Sequence, residues 1–323
     1  MKAILLKEYG LPNILEIGEV SKPIPNDEEV LVRIYSASIN DWDWGLVRGK
    51  PFVIRLIHGL KKPKINIPGV DVSGKIEAVG DKVNSFKIGD DIYCDLSECG
   101  FGGFAEYVCI PEKILSKKPT NISYNDASAL PHAGLLALQG LVQNGKVKSG
   151  QSILINGAGG GVGTLGIQIL KSYGLKVAGV DSDEKLDLMK SMGFDSVMDY
   201  KITDFTDNGE RYDLILDTKS NRSVFKYARS LKKNGTYVTV GGSMYRLFEI
   251  LLLGSLISLF TSKKLSVLNL KPNKGLDQIS KLVERGQMRP VVDGPYGFEK
   301  IPMLIQYFGE GRHKGKIVVE IKK

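Results

Sequence analysis

The chain has 323 residues, 42% of them hydrophobic and 25% charged, which is enough for two domains and a sizeable core in an ordinary globular composition. The formal charge of +8 is mild for this length and its lysines are scattered, so a solvated surface is expected and nucleic-acid binding is set aside. Cys94, Cys99 and Cys109 form no CxxC pair, which argues against a disulfide scaffold or a four-cysteine zinc lobe. Met1 to Leu6 leads directly into a strand pattern rather than a signal peptide, so a cytoplasmic location is expected.

Residues 2–9 and 30–38 read as strands joined by a Pro/Asn/Asp turn. Residues 39–49 hold both tryptophans and read as a loop or short helix. Residues 50–64 are basic and interrupted, and are expected to form a mobile surface loop. Strands follow at 67–79, 92–94 and 102–110, with Gly/Pro punctuation that suits a distorted barrel. Near Asn121 the texture changes to alternating helices and strands, which implies a parallel sheet with right-handed crossovers. The expected fold class is α/β: a Rossmann-type doubly wound sheet plus a distorted β-barrel. The expected divisions are residues 1–122, residues 123–271, and a C-terminal segment, 272–323, returning to the first domain. Residues 247–260 are the most apolar stretch. They are too short to span a bilayer, so a buried helix at a subunit interface or over a cleft is expected, with superficial membrane contact as the alternative.

The centre of the chain is the run from Ser152 to Gly174. Ile153, Leu154 and Ile155 suit a strand covered on both faces, and the spacing Ala158-x-Gly160-x-x-Gly163 then opens an apolar helix. A glycine turn at a helix N-terminus lets backbone N–H groups approach a diphosphate. A second strand ends in Asp181, where dinucleotide folds place the residue that reads the adenosine ribose. Ala158, Gly160, Gly161, Val162 and Gly163 are therefore expected at a cofactor diphosphate.

The order of PGVDVSGKIEAVG (68–80), VNSFKIGDDIY (83–93), GGFAEYV (102–108), ALPHAGLLALQGL (129–141), the glycine turn and KNGTYVTVGG (233–242) resembles the medium-chain dehydrogenase/reductase superfamily. The motifs look like its zinc-independent quinone oxidoreductase branch, with a GroES-like catalytic domain. The zinc ligands of the zinc-dependent branch fall, by this resemblance, on Asn40, Val70 and His132, with Asp71 at the nearby glutamate. Asn40 is a poor ligand and Val70 is none, so no metal is expected. The resemblance implies hydride transfer from NADPH or NADH to a quinone or an α,β-unsaturated carbonyl. It also implies a homodimer.

By the same resemblance His132 is a proton donor or a hydrogen-bond donor to the acceptor, or else a pocket-lining polar residue. Asn40 and Asp43 match an N-x-x-D pair near the nicotinamide, and the alternative is that they cap and brace the loop. Trp42, Trp44, Asp71 and Leu136 are expected around the substrate pocket, with Leu136 replacing a usual threonine. Thr218, Gly241 and Gly242 join the cofactor contacts. The choice of cofactor stays open: Asp181 favours NAD(H), whereas Ser182, Lys185 and Tyr200 match positions that hold the 2′-phosphate of NADP(H). Two other readings are weighed. One is a nucleotide-binding protein of the same fold with little catalysis, peripheral to a membrane. The other, weaker, is a zinc-containing alcohol dehydrogenase.

Overall fold

The structure is a computed structural model and describes residues 1–321. β1 (Lys2–Leu5) pairs antiparallel with β2 (Glu16–Glu19), and β3 (Glu29–Ser38) alternates Val30, Val32 and Ile34 into the core. Next come α1 (Asp41–Arg48), α2 (Phe52–His58), β4 (Asp71–Val79), β5 (Asp91–Asp95), β6 (Tyr107–Pro111), β7 (Ser116–Lys117) and α3 (Tyr124–Ser128). Then follow α4 (Pro131–Leu138), β8 (Ser152–Asn156), α5 (Gly161–Leu170), β9 (Lys176–Asp181), α6 (Leu186–Met192) and β10 (Ser196–Asp199). After them come β11 (Tyr212–Asp217), α7 (Val224–Arg229), β12 (Leu231–Thr239), α8 (Met244–Phe260) and β13 (Lys264–Val267). The chain closes with α9 (Leu276–Glu284), β14 (Val292–Gly297), α10 (Ile301–Glu310) and β15 (Lys316–Glu320).

Two units result: Met1–His132 with Pro272–Lys323, and Ala133–Lys271. The first unit runs on through α3, which packs on β3 and β4, to His132 within α4. In that unit one sheet runs β14-β15-β3-β4-β5-β7, with β6 also on β3. The two ends of β3 take different partners: Glu29–Arg33 pair with β6, and Ser36–Ser38 pair with β15. This sharing, with register shifts along the β3–β4 ladder, bends the sheet around its core.

The second unit holds six parallel strands in the order β10-β9-β8-β11-β12-β13. Counted from β8 this is 3-2-1-4-5-6, the dinucleotide-binding order, with its switch point between β8 and β11. Ile153, Leu154, Ile155, Leu214, Ile215 and Leu216 are buried, which is why those segments read as continuous apolar runs.

Residues 50–64 are not a loop throughout, because Phe52–His58 is helical behind Pro51 at its N-cap and Gly59 at its C-cap. Residues 247–260 form the expected helix, and within α8 of the single chain only Ile250 and Gly254 are buried, while Tyr245, Phe248, Leu251, Leu252, Leu256, Leu259 and Phe260 are exposed. Among the described residues no helix is long and apolar enough to cross a membrane.

Candidate active site

The glycine turn of the second unit is built by close approach. Gly157 has φ +88 and its N–H donates to Val180 O at 2.9 Å, as does that of Ala158 at 3.0 Å. A Cβ on Gly163 would lie 2.3 Å from Ala158 O and 2.4 Å from its Cα, so only glycine lets α5 sit this near the turn. A Cβ on Gly160 would meet only Gly157 O at 3.5 Å, and one on Gly241 only Thr218 O at 3.6 Å. The turn is therefore open at the N-terminus of α5, with Gly161, Val162 and Gly163 in its first turn. Gly242, at φ +117, would carry a Cβ 2.2 Å from Lys219 O. The Thr218 hydroxyl donates to Asn156 O at 3.1 Å, bracing the end of β8.

Asp181 occupies the expected position at the end of β9, yet both carboxylate oxygens are engaged within the chain. Oδ2 accepts from the Gly159 N–H at 2.9 Å, and Oδ1 accepts from the Ser182 N–H at 2.9 Å. Lys185 Nζ lies 3.2 Å from Oδ1. Lys185 is itself buried, its stem so near the turn that a Cβ on Gly159 would meet it at 2.7 Å. Burial lowers the Lys185 ammonium below the usual lysine range, against the pull of Asp181. Tyr200 is half exposed beside them, and its N–H donates to Asp181 O at 3.1 Å. Asp217 escaped the sequence reading. Fully buried, it accepts from Asn156 Nδ2 at 2.8 Å, from the Lys219 and Ser220 N–H groups at 2.8 and 3.1 Å, and from Tyr237 OH at 2.8 Å. Leu136 is buried in the same unit.

In the first unit the candidate catalytic residues share one buried polar cluster. Asn40 caps α1 in a reciprocal box with Asp43, whose Oδ2 accepts from Asn40 N–H at 2.9 Å while Oδ1 accepts from Gly69 N–H at 2.8 Å. Asp43 is fully buried, and burial pushes its carboxyl up to about 7 against those two donors. It braces the loop, which is the alternative role the sequence offered. Asp71 is also fully buried rather than lining an open pocket: Oδ1 accepts from His132 N–H at 3.0 Å, and Oδ2 accepts from Ser38 Oγ at 3.2 Å. Burial raises its carboxyl above the usual range, opposed by Lys316. Lys316, from β15, donates to Ile39 O at 3.2 Å, to Asp71 Oδ2 at 3.3 Å and to Asn40 Oδ1. That last bond orients the Asn40 amide with its Nδ2 as the donor end, and Nδ2 donates to Ser38 O at 3.4 Å.

His132 stands between two carboxylates. Nδ1 lies 2.8 Å from Asp95 Oδ2, and Nε2 lies 3.2 Å from Asp41 Oδ1. Burial opposes charge on the ring, but hydrogen bonds to Asp41 and Asp95 outweigh it and raise its pKa well above the usual histidine value. Asp95 is buried and anchored by Ser97 N–H at 2.7 Å, whereas the Asp41 side chain is 57% exposed. The buried imidazole thus has one fixed partner and one solvent-facing partner.

The tryptophans divide. Two residues apart on α1 they leave the helix on opposite sides. Trp42 meets His58 and Phe101 edge-on with centroids 6.3 Å away in each case. Trp44 packs instead on Gly309 of α10, under the Arg48 guanidinium at 4.1 Å, so only Trp42 remains as a pocket-wall candidate. Sequence reading missed Lys316, Asp95, Asp41 and Ser38. The one local signal was a charged residue at the end of an apolar strand, as in Asp95 after Ile92 to Cys94.

The alcohol dehydrogenase GroES-like domain family matches residues 26–120, and the zinc-binding dehydrogenase family matches residues 192–319. A 2-methylene-furan-3-one reductase of Solanum lycopersicum is 32% identical over 99% of this chain and 79% of its own length. An NADPH-dependent alkenal/one oxidoreductase, chloroplastic, of Arabidopsis thaliana is 31% identical over 99% of this chain and 79% of its own. The solved quinone oxidoreductase of Coxiella burnetii superposes with a TM-score of 0.88 at 26% identity, covering 100% of this chain and 99% of that one. Glycine turn, strand order and shared sequence together place this chain in the medium-chain dehydrogenase/reductase superfamily, in its quinone oxidoreductase-like branch.

Proposed function

We propose that the protein is an NADPH-dependent reductase of quinones or α,β-unsaturated carbonyls that needs no catalytic zinc. The observation that carries this is the buried His132, held between a fixed and an exposed carboxylate that raise its pKa, in a cluster where a metal site would need three good ligands. Residues 40 and 70 are an amide already bonded to Lys316 and a buried valine, and both ring nitrogens of His132 face carboxylates. That donor set does not fit zinc. The name of the matched zinc-binding family does not alter those side chains.

A bound nicotinamide supplies the hydride. The chain's own residues do the rest. The glycine turn and α5 N-terminus hold the diphosphate. The second N–H of Asn40 Nδ2, beside the one that donates to Ser38 O, is the donor to the acceptor's oxygen, with the amide fixed by Lys316. His132 Nε2 gives up its contact with Asp41 to deliver the proton that completes the reduction, and solvent at the exposed Asp41 side re-protonates the ring. Asp95 keeps the ring oriented throughout.

NADPH is the preferred cofactor in this reading. Lys185 Nζ lies 3.2 Å from Asp181 and neutralises it, which removes much of the carboxylate's repulsion of a 2′-phosphate near Ser182 and Tyr200. The relatives' enone and alkenal reductase names agree with the substrate class. We also place the protein in the cytoplasm as a homodimer, with the exposed apolar face of α8 buried between protomers.

The test is a panel of quinones and enones mixed with the protein and either NADPH or NADH, following loss of reduced-nicotinamide absorbance. Acceptor-dependent oxidation, faster with NADPH, is expected. Tight cofactor binding without turnover across the panel would instead support a binding protein with little catalysis.

A further inference from the structure

α2 is amphipathic in the inverted sense. Its inner face carries the polar side chains. Arg55 Nε donates to Gly49 O at 3.2 Å and its guanidinium lies 4.7 Å over the Tyr9 ring. His58 sits edge-on to Trp42 and Phe101, and Tyr9 OH donates to Gly59 O at 2.7 Å. With Ile54 buried beside them, the helix is firmly seated. Its outer face presents Phe52, Leu56 and Ile57, joined by Leu60 in the following turn, each 56–63% exposed. Lys50, Lys61, Lys62 and Lys64 are all exposed around this patch, and residues 50–64 contain no carboxylate.

We propose that residues 50–64 dock the protein on an anionic membrane surface. Phe52, Leu56, Ile57 and Leu60 enter the boundary between headgroups and acyl chains, and the four lysines meet the lipid phosphates. Charge complementarity selects this occupant. A two-fold pairing of the segment with a second copy would bring the lysines of both copies together with no carboxylate in either segment to receive them. An anionic bilayer receives both parts of the patch at once.

The test uses the full-length protein and vesicles of phosphatidylcholine, alone or mixed with phosphatidylglycerol, in co-sedimentation at low and high salt. The protein should pellet with the mixed vesicles, far less with the neutral ones, and less at high salt. Lys61→Glu with Lys62→Glu should lower partitioning about tenfold or more. Leu56→Gln with Ile57→Gln should also abolish most of it. These positions are on the surface, and an unchanged melting temperature verifies that each variant is folded. Ile24→Gln with Ile202→Gln, exposed apolar residues outside the segment and outside α8, should leave partitioning unchanged. The proposal is overturned if wild type does not pellet with the mixed vesicles, if neutral vesicles bind it equally, or if the variants in residues 50–64 partition as wild type does.

Discussion

Replacing Lys316 by methionine is the sharpest test of the buried cluster. Methionine keeps much of the stem's volume and removes the ammonium. Asp71 would then face only Ser38 Oγ and the His132 N–H, with Asn40 Oδ1 and Ile39 O also losing their donor. Breaking a buried pair by removing one partner costs about 3–5 kcal/mol, because the other charge stays desolvated. For a domain of about 150–250 residues each kcal/mol moves Tm by about 2–4 °C, so a fall of roughly 6–20 °C is expected near neutral pH. The pH dependence has a definite sign. Burial already raises Asp71, and Lys316 opposes that rise, so its removal lifts the carboxyl further. A group whose folded pKa lies above its unfolded value contributes stability below the unfolded pKa and loses it as pH rises through the folded one. The variant's deficit against wild type should therefore shrink on acidification. Asp71→Asn in the Lys316→Met background should recover most of the loss. Differential scanning fluorimetry across a pH series reads all three results. An unchanged Tm for Lys316→Met, or a deficit that grows as pH falls, would refute the reasoning.

Other expectations follow from the same geometry. Asp43, pushed up to about 7 from an ordinary value near 4, contributes stability present below about pH 4 and lost as pH rises through about 7. The Tm advantage of wild type over Asp43→Asn should decline across that window, and a constant difference would count against a titrating Asp43. His132→Asn should lower kcat by about 10²-fold or more while leaving cofactor affinity near wild type, the range for loss of a general acid. Wild-type kcat should hold through neutral pH and fall on the alkaline side, because the raised His132 keeps its proton there. Gly163→Ala should abolish measurable NADPH binding, since its Cβ has no room against Ala158. Isothermal titration with an unaltered Kd would show that the turn yields more than the contacts allow. Lys185→Ala should reduce the NADPH-over-NADH ratio of kcat/KM, and an unchanged ratio would remove Lys185 from 2′-phosphate recognition.

Much of the fold was legible because parallel strands buried on both faces are short apolar runs, and Ile153–Ile155 and Leu214–Leu216 are such runs. The glycine turn was legible because close packing leaves no alternative to glycine at position 163. The inner arrangement was not. Asp95, Lys316 and Asp41 reach His132, Asn40 and Asp71 from strands and helices far apart in sequence, and pairing across such distances leaves no local spacing to read. Asp181 and Lys185 were visible as individual residues, but their mutual neutralisation depends on a side chain folding back over the turn. α2 was obscured by its inverted pattern: Phe52, Leu56 and Ile57 face outward and Ile54 alone is buried, so its periodicity does not mark a core-facing stripe.

The central claim is reduction by NADPH without a metal. The most direct measurement is acceptor-dependent NADPH oxidation by protein stripped with a strong chelator, using the best quinone or enone of the panel. The expected rate equals that of untreated protein and is indifferent to added zinc. A rate that vanishes on chelation and returns only with zinc would contradict it.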